Sequence, residues 1–169
     1  MTDDYVLFAG GQNSSTQSSV DAYNSSLVKT TCSALSSGRY GLIGISCNGN
    51  YLFAGGQSSS SSYSSTIDVY TSSLVKTTSL ALSSARSNLA SAALGEYIAF
   101  IGGKGYVSNK NYYYNTINVF NTDLISCTAL TLSAARGSMS AVTIKDYILV
   151  AGGYNGSSSL STVDVLELD

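Results

Sequence analysis

Apolar residues in this chain come in short runs, and four of the runs stop at a glycine pair. They read YVLFAGG (5–11), NYLFAGG (50–56), YIAFIGG (97–103) and YILVAGG (147–153). The first glycines of the pairs, Gly10, Gly55, Gly102 and Gly152, are separated by 45, 47 and 50 residues. Self-similarity at this period marks a propeller or a solenoid. Each run is nearly continuous in apolar residues, which predicts a strand buried on both faces. A second segment recurs without gaps as VDAYNSSLVKTT (20–31), IDVYTSSLVKTT (67–78) and INVFNTDLISCT (117–128), and restarts at Val163 as VDVLELD. Its alternation of apolar and polar positions predicts another strand. No stretch holds a 3.6-residue period long enough for a helix.

Aligned on Arg39, Arg86 and Arg136, a full unit contains four strands. Strand a follows the arginine (41–47, 88–94, 138–144) and is rich in Ala, Ser and Gly, which suits a crowded innermost position. Strand b is the run into Gly-Gly, and strand c the VDAY/IDVY/INVF segment. Strand d covers 29–35, 76–82 and 126–132. The turns between c and d, NSS, TSS and NTD, carry side chains that bond their own backbone. The pairs Gly10–Gly11, Gly55–Gly56, Gly102–Gly103 and Gly152–Gly153 serve turns where a side chain would clash or φ is positive. They do not cradle phosphate: no helix start follows them, and no Lys-Ser/Thr stands at the required offset. The order along the chain is b-c-d, a-b-c-d, a-b-c-d, a-b-c. The expected fold is all-β: one repeat domain, 1–169, of four-stranded antiparallel blades forming an incomplete arc. Two blades are full and two three-stranded, with blade 1 at 1–37, blade 2 at 38–84, blade 3 at 85–134 and blade 4 at 135–169.

These residues resemble kelch repeats over essentially the whole chain. The strand ending in Gly-Gly, the aromatic in strand c (Tyr23, Tyr70, Phe120) and the arginine before strand a carry the likeness. The resemblance implies β-propeller blades. The tryptophan expected early in strand d is replaced by Thr30, Thr77 and Cys127, and the proline before strand d is missing. The Ser/Thr-rich style is closer to bacterial and phage kelch-like arrays than to eukaryotic adaptor domains, and implies a virion or bacterial surface more than cytoplasm.

Composition narrows the functions. Charged residues are 11% of the chain, well under the usual quarter, so hydroxyls and amides make much of the surface. The 8 Lys and Arg are scattered, which argues against nucleic-acid binding. No apolar run approaches the ~18 residues of a membrane helix, and the start MTDDYVLFAGG has no signal-peptide pattern. Cys32, Cys47 and Cys127 lack metal spacing and read as free, packed thiols. Histidine is absent, so neither a Ser-His-Asp triad nor the histidine ligation of copper radical oxidases on this fold is available. Close carboxylate pairs occur only at Asp3/Asp4 and Glu167/Asp169, and no Asp-box of a propeller sialidase appears. No enzyme, cofactor or metal is expected.

What remains is a binding surface. The b–c loops (12–19, 57–66, 104–116, 154–162) and the d–a loops should emerge on one face. The third b–c loop, KGYVSNKNYYYNT, is the longest and carries Lys104, Tyr106, Asn109, Lys110, Tyr112, Tyr113 and Tyr114. Tyrosines among amides suit protein or sugar surfaces; equally, some of them pack a hairpin extension on a neighbouring blade. Arg39, Arg86 and Arg136 either bind carboxylates of a ligand or tie down their own loops. Asp21, Asp68 and Asp164, with Asn118 in the remaining unit, read as structural. An open arc also leaves blade faces bare, so the expected partners are copies of the same chain or the rest of a larger propeller. A two-fold ring would hold six blades or eight, never seven.

Overall fold

The structure is a computed structural model that describes residues 5–127 and 130–168. Four antiparallel sheets follow one another along the chain. Blade 1 is β1 (Tyr5–Ala9), β2 (Val20–Asn24) and β3 (Lys29–Thr31). Blade 2 is β4 (Ile43–Cys47), β5 (Asn50–Ala54), β6 (Thr66–Thr71) and β7 (Lys76–Ala81). Blade 3 is β8 (Ala90–Leu94), β9 (Tyr97–Ile101), β12 (Thr116–Asn121) and β13 (Leu130–Thr131), interrupted by a separate hairpin, β10 (Lys104–Val107) and β11 (Lys110–Tyr113). Blade 4 is β14 (Ser140–Ile144), β15 (Tyr147–Ala151) and β16 (Val163–Glu167). The strand order is the one expected, b-c-d, a-b-c-d, a-b-c-d, a-b-c, with all pairings antiparallel. Among the described residues no helix forms. The expected carboxylates at Asp3, Asp4 and Asp169, and part of the third strand d, lie outside the described residues.

The core lies between blades. Val20 and Leu35 of unit 1 meet Tyr51, Phe53 and Tyr70 of blade 2. Leu52, Ile67 and Val69 of blade 2 meet Ile98, Phe100 and Phe120 of blade 3. Ala99, Ile117 and Val119 of blade 3 meet Ile148, Val150 and Leu166 of blade 4. Blades 2 and 3 therefore have an aliphatic face toward the successor and an aromatic face toward the predecessor, whereas blade 4 meets blade 3 with Ile148, Val150 and Leu166. Only blades 2 and 3 have both faces covered. β5 and β9 are accordingly buried along almost their whole length, whereas β1 and β15 alternate. The expectation of strands buried on both faces thus fails for β1 and β15, because each belongs to a blade with one bare face.

Strand a begins two residues later than its sequence pattern. Gly41, Asn88 and Ser138 occupy the left-handed region, and the ladder starts after them. They also link the blades: Asn88 N–H donates to Gly41 C=O and Ser138 N–H to Asn88 C=O, both at 2.9 Å. Strand d is shorter than expected in blade 1. Leu35, Leu82 and Leu132 leave the edge to enter the inter-blade cores, each N–H donating to the b–c loop of its own unit. In the c–d turns the Asn24 side chain accepts from Ser26 and Val28 N–H, and that of Asn121 from Ile125 N–H.

Candidate functional site

The glycine pairs are where consecutive units join. Gly11, Gly56 and Gly103 each donate a backbone N–H to the carbonyl of the next unit's arginine, Arg39, Arg86 and Arg136, at 2.9 Å. That carbonyl comes so close that a Cβ on Gly10 would lie 2.5 Å from it, and one on Gly102 2.6 Å. Gly152 provides the contrast: no arginine follows in the described residues, and the nearest atom to its Cβ position is Leu160 O at 3.7 Å. The same arginines donate their own N–H to the b–c loops, to Gln17, Ser64 and Tyr114 carbonyls. These bonds place the d–a and b–c loops together on one face.

The three arginine side chains are 0–1% exposed. Arg39 donates to the Ser37 and Phe53 carbonyls and pairs with Asp68 at 2.7 Å. Arg136 donates to the Ala134 and Val150 carbonyls and pairs with Asp164 at 3.1 Å. Arg86 donates to Thr116 C=O and to the Asn118 side-chain oxygen. Each guanidinium therefore closes its own loop onto the following sheet. Burial pushes Asp68 up, but bonds from Lys76, Ser36 and Arg39 outweigh it and hold the carboxylate at about 2. Asp164 is lowered too, with bonds from Ser133 and the charge of Arg136 overcoming burial. Arg86 has no carboxylate, and burial lowers it to about 10. Its charge faces the Tyr114 ring, 5.6 Å from the centroid, an arrangement that stabilises a desolvated cation.

This arginine–acid pairing was not read from the sequence. The signal was present: one arginine and one acid per unit at similar spacing, with Asn118 the exception. Asp21 has no preceding arginine and pairs with Lys29 at 2.8 Å instead.

The Tyr-rich segment forms the β10–β11 hairpin. Ser108 and Asn109 both take positive φ, the two-residue turn whose twist matches the strands. The Lys104 backbone exchanges two bonds with Ser87, anchoring the hairpin to blade 3. At its base Tyr113 packs edge-on against Tyr154 of blade 4, while Tyr114 covers Arg86 and meets Tyr112 at 4.9 Å. Tyr106, Asn109, Lys110 and Tyr112 are exposed. The cluster thus divides into two tyrosines that hold the hairpin and two that it presents.

Over Arg39 the covering ring is missing. Ser64 takes the place that Tyr114 has over Arg86, and a cavity of about 250 Å³ remains, walled by Arg39, Ser37, Ser58, Ser62, Tyr63 and Ser64. The buried Tyr63 hydroxyl has no hydrogen-bond partner. Among the described residues the three half-buried cysteines form no disulfide, and no cluster of metal-ligating side chains occurs.

Consecutive three- and four-stranded antiparallel sheets, packed face to face and joined through loops on one side, define a β-propeller arc. Residues 135–169, which contain blade 4, match the Kelch motif. In shape the chain is similar to the structure of YjhT, with a TM-score of 0.73, 12% identity, and coverage of 89% of this chain and 49% of that one. The chain thus spans about half the length of that structure. At this identity the likeness shows the fold alone. No curated protein matches the chain in sequence.

Proposed function

We propose that the chain is a non-enzymatic recognition module that binds a protein or a glycan through the b–c and d–a loop face, as a contributor to a larger ring. The observation that carries this reading is the β10–β11 hairpin. Tyr113 and Tyr114 fix its base, and Tyr106 and Tyr112 are exposed on opposite faces of the hairpin, so that it offers an aromatic ring on each side. Rigid aromatic side chains present large contact area at little entropic cost. Asn109 and Lys110 at the tip add donors for hydroxyls or carbonyls, and the hydroxyl-walled cavity over Arg39 opens on the same face. The buried acids favour a non-enzymatic role, since Asp68 and Asp164 are engaged by arginines.

The test is binding on glycan and protein arrays with the wild type, Tyr106→Ala/Tyr112→Ala and Tyr154→Ala. The expected result is loss of wild-type signal in the double variant with an unchanged melting temperature. A double variant that binds like the wild type, or a wild type silent on both arrays, refutes the reading. A second reading, a subunit whose role is assembly, is favoured by the bare faces of blades 1 and 4.

A further inference from the structure

We propose that the two end blades dock on each other between copies of this chain, head to tail, through the same strand faces that meet at the three junctions within the chain, without the leucine and arginine that the d–a segments add there. The face of blade 4 that points away from blade 3 carries Val142, Ile144, Val163 and Val165, 60%, 55%, 54% and 61% exposed. By register, Val142, Val163 and Val165 match Ala92, Ile117 and Val119 of blade 3, which blade 4 buries to 6%, 0% and 3% exposure. What covers those residues inside the chain is the opposite face of a following blade. Blade 1 offers such a face uncovered.

On that face Phe8 and Tyr23 meet edge-on at 5.9 Å. Phe53 and Tyr70 do the same in blade 2 at 6.0 Å, and Phe100 and Phe120 in blade 3 at 6.1 Å. In blades 2 and 3 the pair is buried against the preceding blade; in blade 1 Phe8 is 62% and Val6 60% exposed. They line a mainly apolar groove of about 560 Å³ together with Tyr23 and Leu27, with Asp21, paired to Lys29, and Asn24 at its polar side. An aliphatic face thus meets an aromatic pair at two of the three internal junctions and Val150 with Leu166 at the third, and the two kinds of face are left open at opposite ends of the arc.

A second copy is the occupant that supplies both kinds of face. Contiguous apolar surface of this kind is an association surface, and the contact is heterologous, so it closes into a ring or continues as an array. Joined at both ends, two copies give eight blades, four from each, at the upper end of the known propeller range.

The proposal rests on the blade faces and stands apart from the loop-face reading, because self-association is read with no ligand present. Sedimentation velocity of the 169-residue chain at tens of micromolar should show a species of at least twice 17.5 kDa. Phe8→Asp and Val165→Asp change exposed side chains, so both variants should keep the wild-type circular dichroism, and each alone should lose the larger species. An equimolar mixture of the two keeps one junction intact and should form a two-chain species that neither forms alone. A wild type that sediments at 17.5 kDa overturns the proposal. So does a pair of variants in which only one substitution matters, which would mean that like faces meet.

Discussion

Replacing Asp68 by Asn removes one buried negative charge and turns one of its two acceptor oxygens into a donor. The carboxylate is fully buried, accepting from Arg39 at 2.7 Å, Lys76 at 2.8 Å and Ser36 N–H at 3.1 Å. Its pKa of about 2, against an ordinary 3.8, is a shift of nearly two units; at about 1.36 kcal/mol per unit this is about 2 kcal/mol of stability. The folded-state value lies below the unfolded one. The contribution is therefore complete above the unfolded pKa and is lost as pH falls toward the folded one. Removing one partner of a buried ion pair costs about 3–5 kcal/mol when the other is stranded. The amide keeps an acceptor, as Asn118 does for Arg86 and Ser83 in blade 3, so the expected loss is nearer 2 kcal/mol. Urea unfolding should show this gap between wild type and variant at about pH 7 and a progressive narrowing toward about pH 2. A gap of the same size at both ends of that range would refute the charge argument.

Other substitutions probe the same frame. Asn118→Asp gives the buried Arg86 the carboxylate that Arg39 and Arg136 have, and should stabilise by about 1–3 kcal/mol; a lowered melting temperature would contradict this. Gly55→Ala and Gly152→Ala both place a side chain at positive φ, a cost of about 1–2 kcal/mol. Gly55 also has the Arg86 carbonyl and Leu89 against it, whereas Gly152 has only the Leu160 carbonyl at an ordinary contact distance, so urea midpoints should fall much further for Gly55→Ala. Tyr114→Ala uncovers Arg86 and should lower the melting temperature more than Tyr112→Ala, whose side chain is 53% exposed.

Much of this architecture was legible in the sequence because each blade repeats the same local rules. The Gly-Gly positions, the alternation in strand c and the small residues of strand a located 14 blade strands in the right order; the structure adds the β10–β11 hairpin. Boundaries drifted where a residue has two duties. Gly41, Asn88 and Ser138 read as the start of strand a, but they turn the chain and bond the neighbouring blade. The division within the tyrosine cluster was not legible, because Tyr112 and Tyr113 differ only in which side of a hairpin they occupy. That side is set by the register Gly105↔Tyr112 and Lys104↔Tyr113. The arginine–acid pairs escaped for a related reason: their partners lie 28 or 29 residues apart, and local periodicity carries no information about which face they share.

The central claim is that the strand-face contact between blades is made inside the chain and left half-made at each end. A dilution series followed by sedimentation tests it most directly. The expected result is a species of two or more chains at high concentration that gives way to 17.5 kDa on dilution. A single 17.5 kDa species at every concentration would contradict it.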